Sequence, residues 1–385
     1  MALDPSRNAT QPRHPVFDYR PPLTLRLIRW FLRALVGFAV LCVAYTVFWF
    51  YVASEFRDGL PAWIERLGGP GATLAYRQLE ISGYPFRFRL ILHEPQFDAP
   101  ALPALAGGAL RWRANRVVAT MAPWNFNKYV LDLAGEHRID WPGMGGARAT
   151  NVSADEFVVH TDVRDDGLPG EMRFDVARLR ISEKADADPL WLAGKAEINA
   201  KRLFPEGDAA IEPTFSLDFR IEDARIPPVD SPLGRDIARL TGAANIIGQL
   251  ADPTSADGLS AWREAGGIVE FTLNEGRYGP LVVNGNGTAA LDDAMQPITA
   301  GTAKVEGLFP AIDALRERGV VRSRDAAMAK VILGVMSRPG PNGAPVISLP
   351  FSIQGQKLFV GPVPLLDVPT IQWPQPRNAR PQVVR

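Results

Sequence analysis

The 385 residues are 46% hydrophobic, carry 42 basic and 42 acidic side chains, and include a single cysteine, Cys42. Zero formal net charge lacks the basic excess of a nucleic-acid binder, so no nucleic acid is expected as a partner. One cysteine closes intrachain disulfides and cysteine metal clusters, and 34 glycines with 34 prolines favour short strands and turns over long helices.

Residues 1–33 read as a Pro-rich disordered tail with a basic lead-in; Arg7, Arg13, Arg20, Arg26, Arg29 and Arg33 face only Asp4 and Asp18. Residues 34–53, ALVGFAVLCVAYTVFWFYVA, are uncharged, and 20 residues of helix span roughly 30 Å, the hydrocarbon thickness of a bilayer. Tyr45, Trp49, Phe50 and Tyr51 thicken the far end as an interfacial aromatic belt does. The positive-inside rule then places the N-terminus in the cytoplasm and residues 54–373 in the periplasm of an inner-membrane, single-pass protein. The rival reading is a signal peptide cleaved near Val52-Ala53-Ser54, which the long tail and bulky aromatic end fit poorly.

Glu55–Leu67 reads as a short helix with Pro61 early in it, ended by Gly68-Gly69-Pro70-Gly71. From Ala72 the period is two. In LEISGYPFRFRLILHEP (79–95), Phe86, Phe88, Leu90 and Leu92 share one face and Arg87, Arg89, Ile91 and His93 the other. Strands follow within 110–121, 127–139, 148–163, 171–182 and 190–201. In 214–222, Phe215, Leu217, Phe219 and Ile221 alternate with Ser216, Asp218, Arg220 and Glu222.

Residues 233–250 repeat Ile237, Leu240, Ala244, Ile247 and Leu250 at steps of three and four, which predicts a helix. Residues 251–259 read as a loop and a subdivision point near 251–260. Strands return at 267–275, 281–284, 287–292 and 299–307, with Gly279-Pro280 and Gly285-Asn286-Gly287 as turns. Helices are expected at 309–318 and 323–336, then a strand pair around Gly355 (346–354 and 358–360), and a disordered tail over 374–385. The fold class is therefore α+β, mainly antiparallel β: a transmembrane helix followed by a large curved sheet with a few packed helices.

Few motifs carry chemistry. His14, His93, His137 and His160 lack metal-ligand spacing, and no GxSxG elbow is present. Gly285-Asn286-Gly287 leads into a strand, so it offers no helix N-terminus to a phosphate. Asp165-Asp166, Asp186-x-Asp188 and Asp292-Asp293 read as solvated turn carboxylates. No cofactor, metal or catalytic residue is expected.

Two constellations remain. Phe86, Phe88, Leu90, Trp112, Phe215, Leu217, Phe219, Leu349 and Phe351 form an apolar stripe, either a packed core or a groove for acyl chains. Arg87, Arg89, Arg111 and Arg113 form two Arg-x-Arg pairs on strands read as adjacent. They are either headgroup contacts or ordinary charge on a wet face.

The anchor, Ile81-Ser82-Gly83-Tyr84-Pro85-Phe86-Arg87-Phe88, Trp262 with Gly266-Gly267, Gly279-Pro280 and the closing LPFSIQGQKLFVGPVPLL resemble a bacterial envelope family known as domain of unknown function 2125. The resemblance implies an envelope protein and supplies no catalytic residues. More loosely, one anchor plus a long β-rich body looks like AsmA-type proteins, a group associated with lipid transport. The function expected is non-enzymatic lipid handling or envelope maintenance, with the bilayer, a phospholipid ligand and an envelope protein as partners. A scaffold that binds another envelope protein is the alternative, and a hydrolase the remote one.

Overall fold

The computed structural model describes residues 23–102, 108–143, 146–166, 168–183, 188–205, 211–227, 233–250, 256–340, 343–368 and 370–371. The expected disordered ends (1–22 and 374–385) and Asp186 lie outside them. Contacts divide the chain into two compact units, Met1–Ser54 and Glu55–Arg385.

Helix α1 spans Leu23–Gly68. Within it Leu27–Ala62, whose most apolar 18-residue window has mean hydropathy 2.1, is the one helix among the described residues long and apolar enough to cross a bilayer; a single span or a signal sequence both fit it. Its apolar side chains point outward all round, as Leu35, Phe38, Val40, Leu41, Val43 and Val47 do, the opposite of a soluble surface helix. The short helix expected at 55–67 is the continuation of α1, and Pro61 is accommodated inside it.

Next come β1 (Thr73–Ala75), β2 (Gln78–Ser82), β3 (Phe88–His93), β4 (Gln96–Leu102), β5 (Gly108–Ala114), β6 (Arg116–Ala122) and β7 (Asn125–Asp132). They are followed by β8 (Gly135–Gly143), β9 (Gly146–Ala154), β10 (Glu156–Val163), β11 (Pro169–Ser182) and β12 (Trp191–Arg202). Then follow β13 (Pro213–Arg225), β14 (Asp236–Ile247), helix α2 (Ala256–Glu264), β15 (Ile268–Tyr278), β16 (Leu281–Leu291) and β17 (Pro297–Glu306). Helices α3 (Leu308–Glu317) and α4 (Ser323–Met336) precede β18 (Arg338–Pro339), β19 (Pro345–Gln354), β20 (Lys357–Val360) and β21 (Val363–Asp367).

The strands form one open sheet in which every described pairing is antiparallel, the expected fold class. From β11 to β17 each strand bonds its sequence neighbour; β17 then bonds β19, with the α3–α4 hairpin in the connection, and β20 and β21 follow. At the other end the sheet forks on β11. The 169–177 part of that edge pairs with β10, and 180–182 pairs with β9. Positive φ at Arg178 marks the step between them. One leaf continues β10–β7–β6–β3–β2, the other β9–β8–β5–β4–β1.

The leaves face each other at the fork and close a core. Ala154, Val176 and Ala196 are buried there beneath Phe157, Phe174, Leu179 and Ile221. His137 of β8 stacks on Trp112 of β5 and meets Phe157 of β10 edge-on. Trp112 Nε1–H donates to His137 Nδ1 (3.2 Å), so Nε2 keeps the proton and donates to Leu133 O at 2.6 Å. A buried imidazole with both nitrogens committed is a structural residue.

Helix α2 is pinned by Trp262, buried at the sheet end with its indole N–H on Ile247 O (2.9 Å) and its ring against Gly248 and Gly267. Trp262→Phe keeps most of the ring and leaves the carbonyl unpaired, so urea unfolding should report a loss of about 1–2 kcal/mol.

Four expectations are corrected. Residues 233–250 form no helix; Asp236–Ile247 is β14, bonded along both edges. Leu240, Gly242, Ala244 and Ile246 line one face, and small Ala243 on the other disguises the period of two. The 251–259 loop is shorter than expected, since α2 begins at Ala256. Gly285-Asn286-Gly287 is no turn but the middle of β16, so 281–284 and 287–292 are one strand. Phe86 lies in the 84–86 turn, 70% exposed, and β3 starts at Phe88.

Candidate functional site

Strand register decides which side chains share a face, because directly opposed residues point the same way. One row of opposed residues crosses twelve strands: Phe88, Met121, Tyr129, Thr161, Met172, Ala200, Leu217, Ala244, Phe271, Gly287, Gly301 and Phe351. The next row on the same face is Leu90, Ala119, Leu131, Val159, Phe174, Ile198, Phe219, Gly242, Leu273, Gly285, Ala303 and Leu349. On either side run Phe215–Ile246–Val269 and Phe157–Val176–Ala196–Ile221–Leu240. Neither of the two long rows contains a charge. Their polar interruptions are Tyr129, whose phenol is pushed up by burial, and Thr161, whose buried hydroxyl meets no hydrogen-bond partner among the described residues.

Seven of the nine stripe residues, Phe88, Leu90, Phe215, Leu217, Phe219, Leu349 and Phe351, therefore lie on one face of one sheet. Phe86 is off it in the turn. Trp112 belongs to the other leaf, in the closed core at the fork. Phe88 is fully buried against Phe56 of α1 and Phe126 of β7, with ring centroids 5.9 and 6.1 Å away. In the unforked region Leu217, Phe219, Phe271, Leu273, Leu349 and Phe351 are only half-buried, and closure returns at Val305 and Ile347. Core and open face are thus successive stretches of one surface.

The floor of the open stretch is aromatic over glycine. The Phe219 ring lies on Gly242, Phe271 on Gly287 and Phe351 on Gly301; a Cβ at these glycines would stand 2.6–2.8 Å from the ring tips. Neighbouring backbone is as close: Thr272 O would be 2.6 Å from a Cβ on Gly242, and Ala300 O 2.6 Å from one on Gly287. So close an approach of ring and neighbouring backbone leaves no room for a side chain at these positions, and only glycine permits it. Phe271 and Phe351, with β16 and β17 between their strands, reach 6.3 Å between centroids across the gap. At the level of sequence Phe271, Leu273, Gly242 and Gly301 have no assigned role, and Gly285 and Gly287 read as a turn. Strict alternation through 269–273 is the signal for the first two.

The opposite face is polar, with rows His160–Arg173–Asn199–Asp218 and Asp175–Glu197–Arg220–Thr241–Glu275. A depression of about 410 Å³ opens there, lined in part by Arg173, Asn199, Asp218 and Arg220. Two of its charges are paired: Lys195 holds the Glu197 carboxyl below the usual range from 2.7 Å, and Arg173 meets Asp175 at 3.1 Å; nearby on the same face Arg277 holds the Glu275 carboxyl low. Asp166 is held low first by the Leu168 backbone N–H and also by Arg202, and Asp292 accepts the Gln296 N–H at 2.8 Å. These are turn and ion-pair roles. Among the described residues no group of three His, Cys, Asp or Glu is placed to hold a metal.

The two Arg-x-Arg pairs are not on adjacent strands. Arg89 on β3 is flanked by β2 and β6, whereas Arg111 and Arg113 on β5 are flanked by β4 and β8, on the other leaf. Arg111 pairs with Asp98 at 2.9 Å, and Arg87 sits exposed after the turn. A single cationic strip is not assembled.

In the α3–α4 hairpin, Lys330 Nζ lies 2.6 Å from both carboxylate oxygens of Asp313 and holds that carboxyl below the usual range, with Arg316 adding to it. A lowered folded-state pKa gives stability that is present above the unfolded value and lost as pH falls through the folded one. The stability difference between wild type and Asp313→Asn should therefore be small but measurable at neutral pH and close below about pH 4 in denaturation series.

No curated protein matches the chain. A family model described as an uncharacterised protein conserved in bacteria, DUF2125, matches residues 49–369, from within the apolar helix α1 through the last described strand. The sheet and its apolar face lie within that range, and the chain belongs to this bacterial family.

Proposed function

We propose that the chain is a membrane-anchored, non-enzymatic lipid-handling protein of the bacterial envelope, its apolar sheet face receiving acyl chains. The observation that carries this is the uncharged, incompletely buried face running from Leu217 to Phe351 with phenyl rings laid over glycine. A face this wide, left partly open, has an unmet demand for apolar cover that acyl chains satisfy. The apolar helix supplies the attachment to the bilayer. Six arginines before it favour a cytoplasmic N-terminus and a periplasmic body in the inner membrane. The likeness to AsmA-type proteins is one of layout and adds no residue to the proposal.

Native mass spectrometry of the detergent-purified full chain tests it. Wild type should retain phospholipid that Leu217→Glu and Phe271→Glu lose while keeping their far-UV circular dichroism. Lipid around the apolar helix is common to all three proteins, so the difference reports on the face. Equal lipid in all three would remove the proposal. Crosslinking in cells to one dominant protein, with no lipid, would favour an envelope scaffold instead.

A further inference from the structure

Helix α4 is apolar on the wrong side as well as the right one. Its inner face, Ala326, Ala329, Lys330 and Leu333, is buried or half-buried, at the i, i+3, i+4, i+7 spacing of a packed helix. On the outer face, Met328, Val331, Ile332 and Val335 repeat the same spacing, yet they are 58%, 69%, 54% and 85% exposed. A soluble surface helix puts charge there, and a contiguous exposed apolar stripe marks a contact surface.

Charge around the stripe identifies what it contacts. Residues 308–340 carry Arg316, Arg318, Arg322, Arg324, Lys330 and Arg338 against Asp313, Glu317 and Asp325, an excess of three positive charges in a chain of zero net charge. Lys330 and Arg316 are turned inward onto Asp313. Arg322 and Arg324 at the start of α4 and Arg338 just past its end are exposed and bracket the apolar stripe. Apolar side chains flanked by arginines along a short helix suit a bilayer interface: the stripe enters the acyl boundary and the arginines meet lipid phosphates.

We infer that the outer face of α4 docks on the surface of an anionic phospholipid bilayer. The docking does not depend on the sheet face binding lipid, and its test has a separate readout.

The test uses the full chain with Cys42→Ser and Val335→Cys, labelled at 335 with an environment-sensitive fluorophore. The protein is reconstituted in phosphatidylcholine vesicles with or without about one-third phosphatidylglycerol. Doxyl-lipid quencher is placed in the host bilayer or in added vesicles, so either geometry of approach is seen. Docking predicts lipid quenching in anionic vesicles that falls with added salt. Each arginine near the surface multiplies affinity roughly fivefold, so Arg322→Glu with Arg324→Glu should abolish the quenching. Val331→Ser, which keeps the charges, should weaken it. Quenching by aqueous iodide alone in every vesicle overturns the proposal. So does energy transfer between labelled copies without lipid quenching, which would make the stripe a contact between two copies. Native-like circular dichroism of each variant excludes unfolding as the cause.

Discussion

Phe88→Ala is expected to remove about 3–5 kcal/mol of stability, the range for deleting a buried aromatic ring from a packed site. Phe88 is fully buried and sits between Phe56 on the helix that enters the sheet unit and Phe126 on β7. Both flanking rings belong to fixed elements, which limits how far the site can collapse around the cavity. Denaturant unfolding of the full chain in detergent checks this, with Phe86→Ala as the control. Phe86 is 70% exposed two residues away and should change stability by less than about 0.5 kcal/mol. A comparable loss from both would mean that the turn and the strand contribute alike, contrary to their burial.

The second large effect is expected at Gly301. A side chain there would run into the Phe351 ring and into Asn286 O on the neighbouring strand. The ring can rotate away; the carbonyl is held in the ladder and cannot. Gly301→Val should therefore cost about 3 kcal/mol, the upper end for overpacking, although valine is by itself a good strand residue. Ala300→Val is the matched control, since Ala300 is exposed on the other side of the same strand. Its effect should be near zero or slightly stabilising. A tolerated Gly301→Val would mean that the strands are free to separate, and the close approach ascribed to the glycines would lose its support.

Sequence pattern revealed the apolar helix, the change to period two and the antiparallel class, because each is written in local hydrophobicity. Phe215, Leu217 and Phe219 were legible as one face for the same reason. Where small residues replaced large ones, the pattern failed. Ala243 and Ala244 made β14 resemble a helix, and Gly285-Asn286-Gly287 resembled a turn although its glycines serve strand approach. The fork at β11 and the separation of Arg89 from Arg111 depend on which strands pair, which alternation does not encode. Nor does periodicity disclose whether a face is covered. The same row is closed core at Phe88 and half-open at Leu217 and Phe271, and only the packing of Phe56 and Phe126 separates the two.

Photocrosslinking at neighbouring positions is the most direct measurement of what covers that face. A photoreactive phenylalanine analogue replaces Leu217 or Phe271 on the apolar side, and Asp218 or Thr272 on the polar side, in the full chain in its membrane. Adducts of phospholipid mass are expected at 217 and 271 and not at 218 and 272. Equal adducts on both faces, or none at 217 and 271 in protein that crosslinks elsewhere, would contradict a lipid-receiving apolar face.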